Sequence, residues 1–401
     1  MNDFIIPART QSLGVPSSLA IAKRVLELRR QGKNVVSFGS RGDTPKRVKE
    51  AAMEMLASTA NSAYTDLRGL PALRQAIARK LLNENNIQAD PETDIIVTAG
   101  GGEGISSTLL ALLDPGDEVL LEDPCFLGFE PVVRIAGATP VRIKLAEHDG
   151  FSFNIDALRE RVTSRTRLLI LCNPDNPTGR VREPAELVAI AKAAHEFNFL
   201  ILVDEAYEHF TYDGRRHISM AALGDGIGRR IITVQTVSKT YHMHGWRVGW
   251  VVADRQIIES VLAVHSRLVT CPASFAQAGA IAAIEGSLGE GDVPITELVH
   301  DYEQRRDAMV RALNAIPGVN CPTPQGAYFT FPDFKHFAMP STELCRYLLE
   351  TGRVATTPGI AFGENGEGRL RLNYTCPVAE IEQGVTQIAD ALSKIRLRSQ
   401  V

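Results

Sequence analysis

Four polar residues of this sequence follow short apolar runs closely, and each can carry chemistry. Asn176 comes after the run RLLILC, Asp204 ends the run FLILVD, and Lys239 and Arg247 come after IITVQ. A lysine amine can attack a carbonyl carbon. A carboxylate at the end of a strongly apolar strand is costly to bury unless it is paired. Because open α/β sheets bind their ligands at the carboxyl ends of strands, the sequence predicts that these side chains share one site.

A run of three glycines, 100–102, follows the apolar run IIVT and opens a helical stretch. Glycine-rich turns at helix starts often bind phosphate groups. Glu122 and Asp123 end the next apolar run about twenty residues further on, so a dinucleotide site is an alternative. However, the glycine spacing is not GxGxxG, and a dehydrogenase would leave Lys239 and Asp204 without a role. We therefore favour a different phosphate-bearing ligand.

Alternating apolar and amphipathic stretches between about residues 94 and 254 predict the framework that positions these groups. Several of the apolar runs are continuous, which is typical of strands buried on both faces of a mostly parallel sheet. The pattern therefore predicts an α/β domain with helices on both faces of the sheet. The predicted strands are 95–98, 118–122, 167–172, 199–204, 231–235 and 249–253, and the predicted helices are 103–113, 184–197 and 255–267.

After Gly289 the pattern changes. A long charged helical stretch (295–314) precedes strand-like pieces at 327–331 and 369–374 and a final helix at 378–395. This part is typical of a smaller α+β domain. We expect an N-terminal segment 1–44 that packs on the small domain, a large ligand-binding domain 45–290 and a small C-terminal domain 291–401.

The composition limits the classes of partner. The net charge of −4 gives no electrostatic reason to expect nucleic acid or an anionic membrane as partner. The six cysteines have no metal-ligand spacing, so we expect free thiols, a cytoplasmic setting and no bound metal. The start of the chain does not read as a secretory signal, and no apolar run is long enough to span a bilayer.

Six motifs, in their order and spacing, resemble the fold-type I aminotransferases of class I and II, the family related to aspartate aminotransferase. The resemblance runs from about residue 15 to the C-terminus, and it implies a large domain with a mostly parallel seven-stranded sheet flanked by helices. The smaller α+β domain is then built from the N- and C-terminal segments. The motifs are AYTDLRGLPALRQAIA (63–78), LLDPGDEVLLEDPCF (112–126), CNPDNPTG (172–179), VDEAYEHF (203–210), VSKTYHMHGWRVGW (237–250) and GEGRLRLNY (366–374).

The resemblance implies pyridoxal 5′-phosphate as the cofactor, with catalytic roles for Lys239, Asp204 and Tyr207. Lys239 would hold the cofactor aldehyde as an imine and then act as general acid and base. Asp204 would pair with the pyridine nitrogen and keep it protonated, so that the ring accepts electrons. Tyr207 and Asn176 would donate hydrogen bonds to the cofactor's 3′-oxygen.

The resemblance also implies how the rest of the cofactor is held. The glycine run and Arg247 would bind the phosphate, and the ring of Phe126 would stack on the cofactor. Tyr64 matches a tyrosine that the neighbouring subunit contributes to the phosphate site, which implies a homodimer with shared active sites. The expected cofactor-binding residues are Gly100, Gly101, Gly102, Phe126, Asn176, Asp204, Tyr207, Thr236, Ser238, Lys239, Arg247 and Tyr64.

For the substrate, Arg371 matches the arginine whose planar fork takes the α-carboxylate bidentately. Asn176 and Gly39 are also expected at the substrate. The segment 37–45 departs from the family, because it is shorter than the usual substrate-facing loop and lacks its Gly-x-Pro-Asp motif. Within it, Arg41 is either a solvated loop residue, which is the simpler interpretation, or a ligand for a second anionic group.

Three further positions bear on specificity. Gly102 stands where many relatives have a hydroxyl residue or a lysine, so recognition of a distal carboxylate from that position is absent. His242 and His244 lie close after Lys239, where packed or solvated histidines are commoner than catalytic ones. The sequence leaves the role of both histidines open.

These observations predict an aminotransferase that moves the amino group of an α-amino acid to a 2-oxo acid. An alternative keeps the cofactor and changes the outcome to elimination or replacement at Cβ or Cγ, or to cyclisation, with S-adenosylmethionine as one candidate substrate. A third hypothesis is a ligand-sensing regulatory domain with this fold. The motifs begin too early in the chain to leave room for the DNA-binding domain that such proteins carry. Neither the donor nor the acceptor can be identified from the sequence.

Overall fold

The structure is a computed structural model that describes residues 13, 17–39, 42–224, 227–288 and 293–395. Arg41, the candidate ligand for a second anion, lies outside the described residues.

Seven strands form one sheet, which we call the large sheet, in the order β1-β7-β6-β5-β4-β2-β3. Neighbouring strands from β6 to β3 run parallel, and β7 is antiparallel to both β1 and β6. The predicted seven-stranded, mostly parallel sheet is therefore confirmed. The strands are β1 Ile95–Thr98, β2 Glu118–Asp123, β3 Thr139–Lys144, β4 Thr166–Cys172, β5 Leu200–Asp204, β6 Ile231–Thr236 and β7 Gly249–Val252.

Of the seven strands of the large sheet, β3 alone was not located from the sequence, and its position in the sheet explains why. It is the edge strand beyond β2, and its sequence TPVRIK buries a single residue, Ile143. An edge strand that faces solvent does not need the continuous apolar run by which β4 and β5 are recognised.

The described residues contain twelve α-helices. The predicted helices 184–197 and 295–314 have the expected bounds, and Pro184 occupies the first turn of its helix. The final helix ends at Leu392, before the predicted residue 395. The helices are α1 Ser17–Arg30, α2 Lys46–Ala57, α3 Pro71–Asn85, α4 Gly101–Leu112, α5 Phe129–Ile135, α6 Ile155–Arg161, α7 Pro184–Phe197, α8 Arg255–Leu268, α9 Ser274–Ser287, α10 Ile295–Asn314, α11 Ser341–Tyr347 and α12 Val378–Leu392.

A second, three-stranded antiparallel sheet, the small sheet, has the order β8-β10-β9. Its strands are β8 Phe329–Thr330, β9 Thr357–Pro358 and β10 Leu370–Asn373. The N-terminal part of the chain pairs with this region, because Val36 forms a parallel bridge with Val354.

The carboxyl ends of β4, β5 and β6 approach the small sheet. Backbone hydrogen bonds join the two regions, from Tyr212 N–H to Gln325 O at 3.0 Å and from Ala327 N–H to Phe210 O at 2.9 Å. Strand β10, which carries Arg371, is thereby held opposite the ends of the large-sheet strands. None of the described helices has both the length and the apolar character needed to cross a membrane.

Candidate active site

A cavity of about 370 Å³ lies where the carboxyl ends of the large-sheet strands meet the small sheet. Five residues expected at the cofactor or substrate line it together, although they are far apart in sequence. Its lining residues are Phe126, Asn176, Tyr207, Lys239, His244, Tyr302, Tyr328, Phe329, Arg371, Asn373 and Thr375.

Lys239 lines this cavity, and Asp204 lies near enough for its charge to act on the lysine. The Lys239 ammonium lies 5.6 Å from the centroid of the Tyr207 ring. Burial lowers the pKa of Lys239, although the charge of Asp204 acts in the opposite direction. The lowered pKa favours the neutral amine, which is the nucleophilic form.

The carboxylate of Asp204 is 9% exposed and accepts a hydrogen bond from Ala206 N–H at 3.1 Å. Burial raises its pKa to about 6, although the Ala206 N–H and the charge of Lys239 both lower it. Among the described residues, no cation lies within salt-bridge distance of this carboxylate. A buried carboxylate in that condition is suited to pair with a cationic group of a ligand.

Arg371 offers a partly buried guanidinium on the small-sheet side. Its Nη1 donates to Asn176 Oδ1 at 3.0 Å, and its guanidinium carbon lies 4.5 Å from the centroid of the Phe329 ring and 5.0 Å from that of Phe362. Its Nε is buried and has no hydrogen-bond partner among the described residues. Burial lowers the pKa of Arg371. A carboxylate bound beside Arg371 would balance its positive charge and accept a hydrogen bond from the unpartnered Nε–H.

Two tyrosine hydroxyls complete the polar wall. Burial raises the pKa of Tyr207 and of Tyr328, so both phenols keep their protons. The two rings meet edge to face with centroids 5.1 Å apart. Tyr207 can therefore act as a neutral hydrogen-bond donor.

The glycine run begins α4 at the edge of the site. Gly100 has φ +86°, and a Cβ on it would lie 2.5 Å from Arg247 Nη2, so the loop and the guanidinium pack closely. Gly101 and Gly102 occupy the first turn of α4, and a Cβ on Gly102 would meet open space. Glu103 stabilises the loop, because its Oε2 accepts the Ala99 N–H at 2.9 Å.

Arg247 and two hydroxyls lie at the end of β6. The Nη1 of Arg247 donates to the His244 carbonyl at 3.0 Å. The hydroxyls of Thr236 and Ser238 are 2.8 Å apart, and Thr236 also donates to the Val248 carbonyl. The structure thus places the expected phosphate ligands on neighbouring backbone segments.

Nine expected residues are not among those that line the cavity: Gly39, Tyr64, Gly100, Gly101, Gly102, Asp204, Thr236, Ser238 and Arg247. Tyr64 is 85% exposed, so its side chain belongs to the surface of the single chain. Gly39 lines a neighbouring cavity of about 500 Å³ with Ser37 and Arg29. It follows Phe38, whose carbonyl accepts a hydrogen bond from the cavity residue Thr375 at 2.7 Å.

Sequence reasoning missed the aromatic and polar residues that the small-sheet region contributes. The stretch 327–331 was predicted only as a strand, and the aromatic residues in it carried no chemical signal. Their role in the cavity depends on contacts with residues more than a hundred positions away. The missed lining residues are Tyr302, Tyr328, Phe329, Asn373 and Thr375.

His244 lines the cavity, and it is held in the neutral form. Burial, then the charges of Lys239, His242 and Arg247, lower its pKa to about 4. Burial also lowers the pKa of His242, although Asp43 acts in the opposite direction. A neutral imidazole at His244 can donate or accept a hydrogen bond at neutral pH.

A separate buried cluster beside Asp204 has residue types that could ligate a metal, namely Glu205, Glu208 and His217. The cluster already contains a cation, because Lys80 Nζ lies 2.5 Å from Glu208 Oε2 and 2.7 Å from Asn85 Oδ1. Because the buried Lys80 pairs with Glu208, the acidic residues of this cluster are explained by a structural ion pair. The six cysteines are all free thiols.

The comparisons with known proteins agree with this geometry. The family model for aminotransferases of class I and II matches residues 32–388. The aspartate aminotransferase of Pyrococcus abyssi is 37% identical, over 91% of this chain and 93% of the relative. Aromatic-amino-acid aminotransferase 2 of Thermococcus litoralis is 35% identical, over 88% of this chain and 90% of the relative. The solved structure of aspartate aminotransferase from Thermus thermophilus with maleate has a TM-score of 0.90 at 31% identity, covering 97% of this chain and 100% of that chain. The chain therefore belongs to the class I and II aminotransferases, a pyridoxal phosphate-dependent family, and it is a transaminase.

Proposed function

We propose that the cavity binds pyridoxal 5′-phosphate through Lys239 and accepts α-amino acids whose carboxylate binds Arg371. The observation that carries this proposal is the presence of a partly buried lysine amine and a partly buried arginine in one cavity. Each lacks an acidic partner at salt-bridge distance among the described residues. Arg371 also keeps its Nε without an acceptor. The cavity is therefore complementary to a molecule that brings both a carbonyl group and a carboxylate.

The residues present fit the cofactor on its ring side. Asp204 is buried without a contacting cation, and a protonated pyridine nitrogen would supply one. Tyr207 and Asn176 present a hydroxyl and an amide in the same cavity, where they would hold the 3′-oxygen. Phe126 lines the cavity and would stack on the ring.

The phosphate side also fits. The first turn of a helix leaves backbone N–H groups without intrahelical partners, and α4 begins with Gly101 and Gly102. Arg247 packs against this turn at Gly100, and it supplies a fixed cation. The hydroxyls of Thr236 and Ser238 would complete the shell.

When bound, pyridoxal phosphate supplies an aldehyde that takes up the amino group and a ring that accepts the electrons left at Cα. The chain's own residues orient the substrate and transfer its protons. Arg371 fixes the carboxylate, which sets the orientation of the Cα–H bond. Lys239, with its lowered pKa, is then able to take the proton from Cα and return it elsewhere.

We also propose that the donor amino acid has an uncharged side chain, with aromatic donors favoured. The only cationic side chains that line the cavity within the described residues are Lys239 and Arg371, and both have assigned roles. Among the described lining residues a distal carboxylate would have no further cationic partner, and a buried charge without a partner has a high desolvation cost. The relatives compared above include enzymes named for aspartate and for aromatic amino acids. The aromatic residues that remain in the cavity wall favour an aromatic donor: Tyr302, Tyr328 and Phe329.

A single-turnover experiment tests the function. The cofactor-loaded enzyme is mixed with one amino acid at a time and no 2-oxo acid, with Lys239→Ala as the control. We expect one equivalent each of the aminated cofactor and of 2-oxo acid. Repeated turnover with the cofactor still in its aldehyde form would instead indicate elimination, replacement or cyclisation. We expect phenylalanine and tyrosine to react at least about tenfold more efficiently than aspartate, as hydrophobic pockets discriminate. Equal or faster reaction of aspartate would contradict the substrate class alone.

Three further assignments complete the proposal. The chain is divided into a segment 1–44, a large domain 45–290 and a small domain 291–401. The bridge between Val36 and Val354 supports packing of the first on the last. The enzyme works as a homodimer with shared active sites in the cytoplasm. The exposed side chain of Tyr64 supports the sharing, since it is free to reach a second copy.

A further inference from the structure

The orientation of Arg371 depends on an aromatic ring that comes from a different segment. Phe362 is fully buried, and its ring centroid lies 5.0 Å from the guanidinium carbon of Arg371. The guanidinium otherwise contacts the Phe329 ring and one oxygen of Asn176. Because aromatic faces restrict the plane of a guanidinium, displacement of Phe362 would tilt the fork that receives the carboxylate.

Phe362 is held by hydrogen bonds to its backbone carbonyl from residues near the ends of β2 and β3. Its carbonyl oxygen accepts hydrogen bonds from Cys125 N–H at 2.9 Å and from Arg142 Nη1 at 3.2 Å. Gly363 follows with φ +135°, and a Cβ there would lie 2.0 Å from Asp123 Oδ1. The segment 362–365 therefore docks directly on the end of the large-sheet strand, next to Phe126.

Asn365 anchors this docked segment. Its side-chain amide donates to the carbonyls of Asp123 and Leu145, both at 3.0 Å, and its backbone N–H donates to Asp123 Oδ1 at 3.1 Å. It is 9% exposed, so these bonds form away from solvent. Loss of the amide would leave the buried Leu145 carbonyl without a donor, and the Asp123 carbonyl would keep only the Leu145 N–H, so the segment would lose both side-chain bonds that hold it.

We propose that Asn365 is a positioning residue for substrate binding. Its hydrogen bonds fix the segment 362–365 at the end of β2, and this holds the Phe362 ring against Arg371. The ring in turn sets the orientation in which the Arg371 guanidinium presents itself to the substrate carboxylate. Asn365 itself does not touch Arg371. The inference rests on the proposed role of Arg371 in binding the α-carboxylate.

The test compares two substrates in single-turnover reactions of the cofactor-loaded enzyme, phenylalanine and phenylethylamine, which lacks the carboxylate. Asn365→Ala should lower the efficiency with phenylalanine about tenfold, because a small misplacement of a binding group is costly, and should change the reaction of the amine less than about twofold. The cofactor absorption spectrum should stay unchanged. A purely structural role would lower both reactions alike, so equal losses, or no loss, overturn the proposal.

Two further variants make the result decisive. Phe362→Leu keeps the carbonyl contacts but removes the ring, so it should show the same selective loss even if Asn365→Ala does not fold. The matched control is Lys335→Met, which removes an ion pair between Lys335 and Glu147 at 2.6 Å, across the same junction, without touching Phe362. It should leave both reactions unchanged. If Arg371→Lys does not reduce the preference for phenylalanine, the proposed function of Arg371 fails. If it does and neither Asn365→Ala nor Phe362→Leu has an effect, only the role of Asn365 is overturned.

Discussion

Arg371 and Asn176 are joined by a hydrogen bond of 3.0 Å between Nη1 and Oδ1, although 195 residues separate them in sequence. Asn176 follows strand β4 of the large sheet, whereas Arg371 lies in β10 of the small sheet. The bond therefore links the two walls of the cavity, one from each sheet. It joins a residue that we place at the cofactor to one that we place at the substrate carboxylate.

Arg371→Lys should weaken substrate binding selectively. Lysine keeps the positive charge but loses the planar fork and the bond geometry to Asn176. We expect KM for amino acids to rise roughly tenfold to a hundredfold, which corresponds to about 1.5–3 kcal/mol for a charge-assisted hydrogen bond. The measurement is steady-state kinetics with the absorption spectrum of the bound cofactor as a check, and that spectrum should not change. If amines without a carboxylate react as well as amino acids do in the wild-type enzyme, Arg371 does not have this role.

The structure shows which parts of this site a sequence can predict. Strands β4 and β5 are continuous apolar runs, so Asn176, which follows β4, and Asp204, which ends β5, were expected at one edge of the sheet. The family and the transaminase reaction are likewise confirmed. Motif resemblance located Arg371 on a strand, but no local pattern indicated that it would lie on the rings of Phe329 and Phe362.

The remaining residues were missed because their roles arise only in three dimensions. Asn365 looks like an ordinary loop asparagine in the sequence GENGEG, and its partners Asp123 and Leu145 lie more than 200 residues away. Tyr328 was read as part of a strand. Strand β3 carries no apolar run because it lies at the sheet edge. Local sequence patterns record burial and turn chemistry, but they do not record which distant side chains meet.

Lys239 should carry the cofactor. Its amine lines the cavity with a lowered pKa, which favours attack on an aldehyde. Borohydride reduction of the loaded enzyme followed by peptide mapping should find the pyridoxyl group on this residue. Lys239→Ala should lose at least about a hundredfold in activity, since the general acid and base is also removed. A label on Lys80, which is buried outside the cavity, would show that the assignment is wrong.

The two active sites of the proposed dimer should be shared through Tyr64. Tyr64→Ala and Lys239→Ala are each expected to be nearly inactive. After full subunit exchange, half of the dimers are mixed and each mixed dimer has one intact site, so about a quarter of the wild-type activity per site should return. The control mixes Lys239→Ala with Arg371→Ala. These two residues line the cavity of one chain, so no site is restored in that mixture. A fully active monomer would contradict the shared site.

Asp204→Asn should stabilise the cofactor-free protein and weaken the loaded one. Burial raises the pKa of Asp204 from 3.8 to about 6, so the folded state binds this proton more tightly than the unfolded state does. The contribution of this group to stability is therefore full at low pH, falls as the pH rises from about 4 to 6, and is lost above that range. The loss amounts to about 3 kcal/mol. Removing the carboxylate should recover up to that amount at pH 7.5 and little near pH 4, as measured by chemical denaturation without cofactor. Asp149→Asn, at an exposed turn, is the control and should change the free energy of unfolding little at either pH.

In the loaded enzyme the effect of Asp204→Asn on stability should reverse in sign, because a pyridine N–H⁺ beside Asp204 would lose its anionic partner, and activity should fall with it. Equal stability of the two cofactor-free proteins at pH 7.5 would show that the carboxylate is not the uncompensated buried charge that the proposed cofactor site requires.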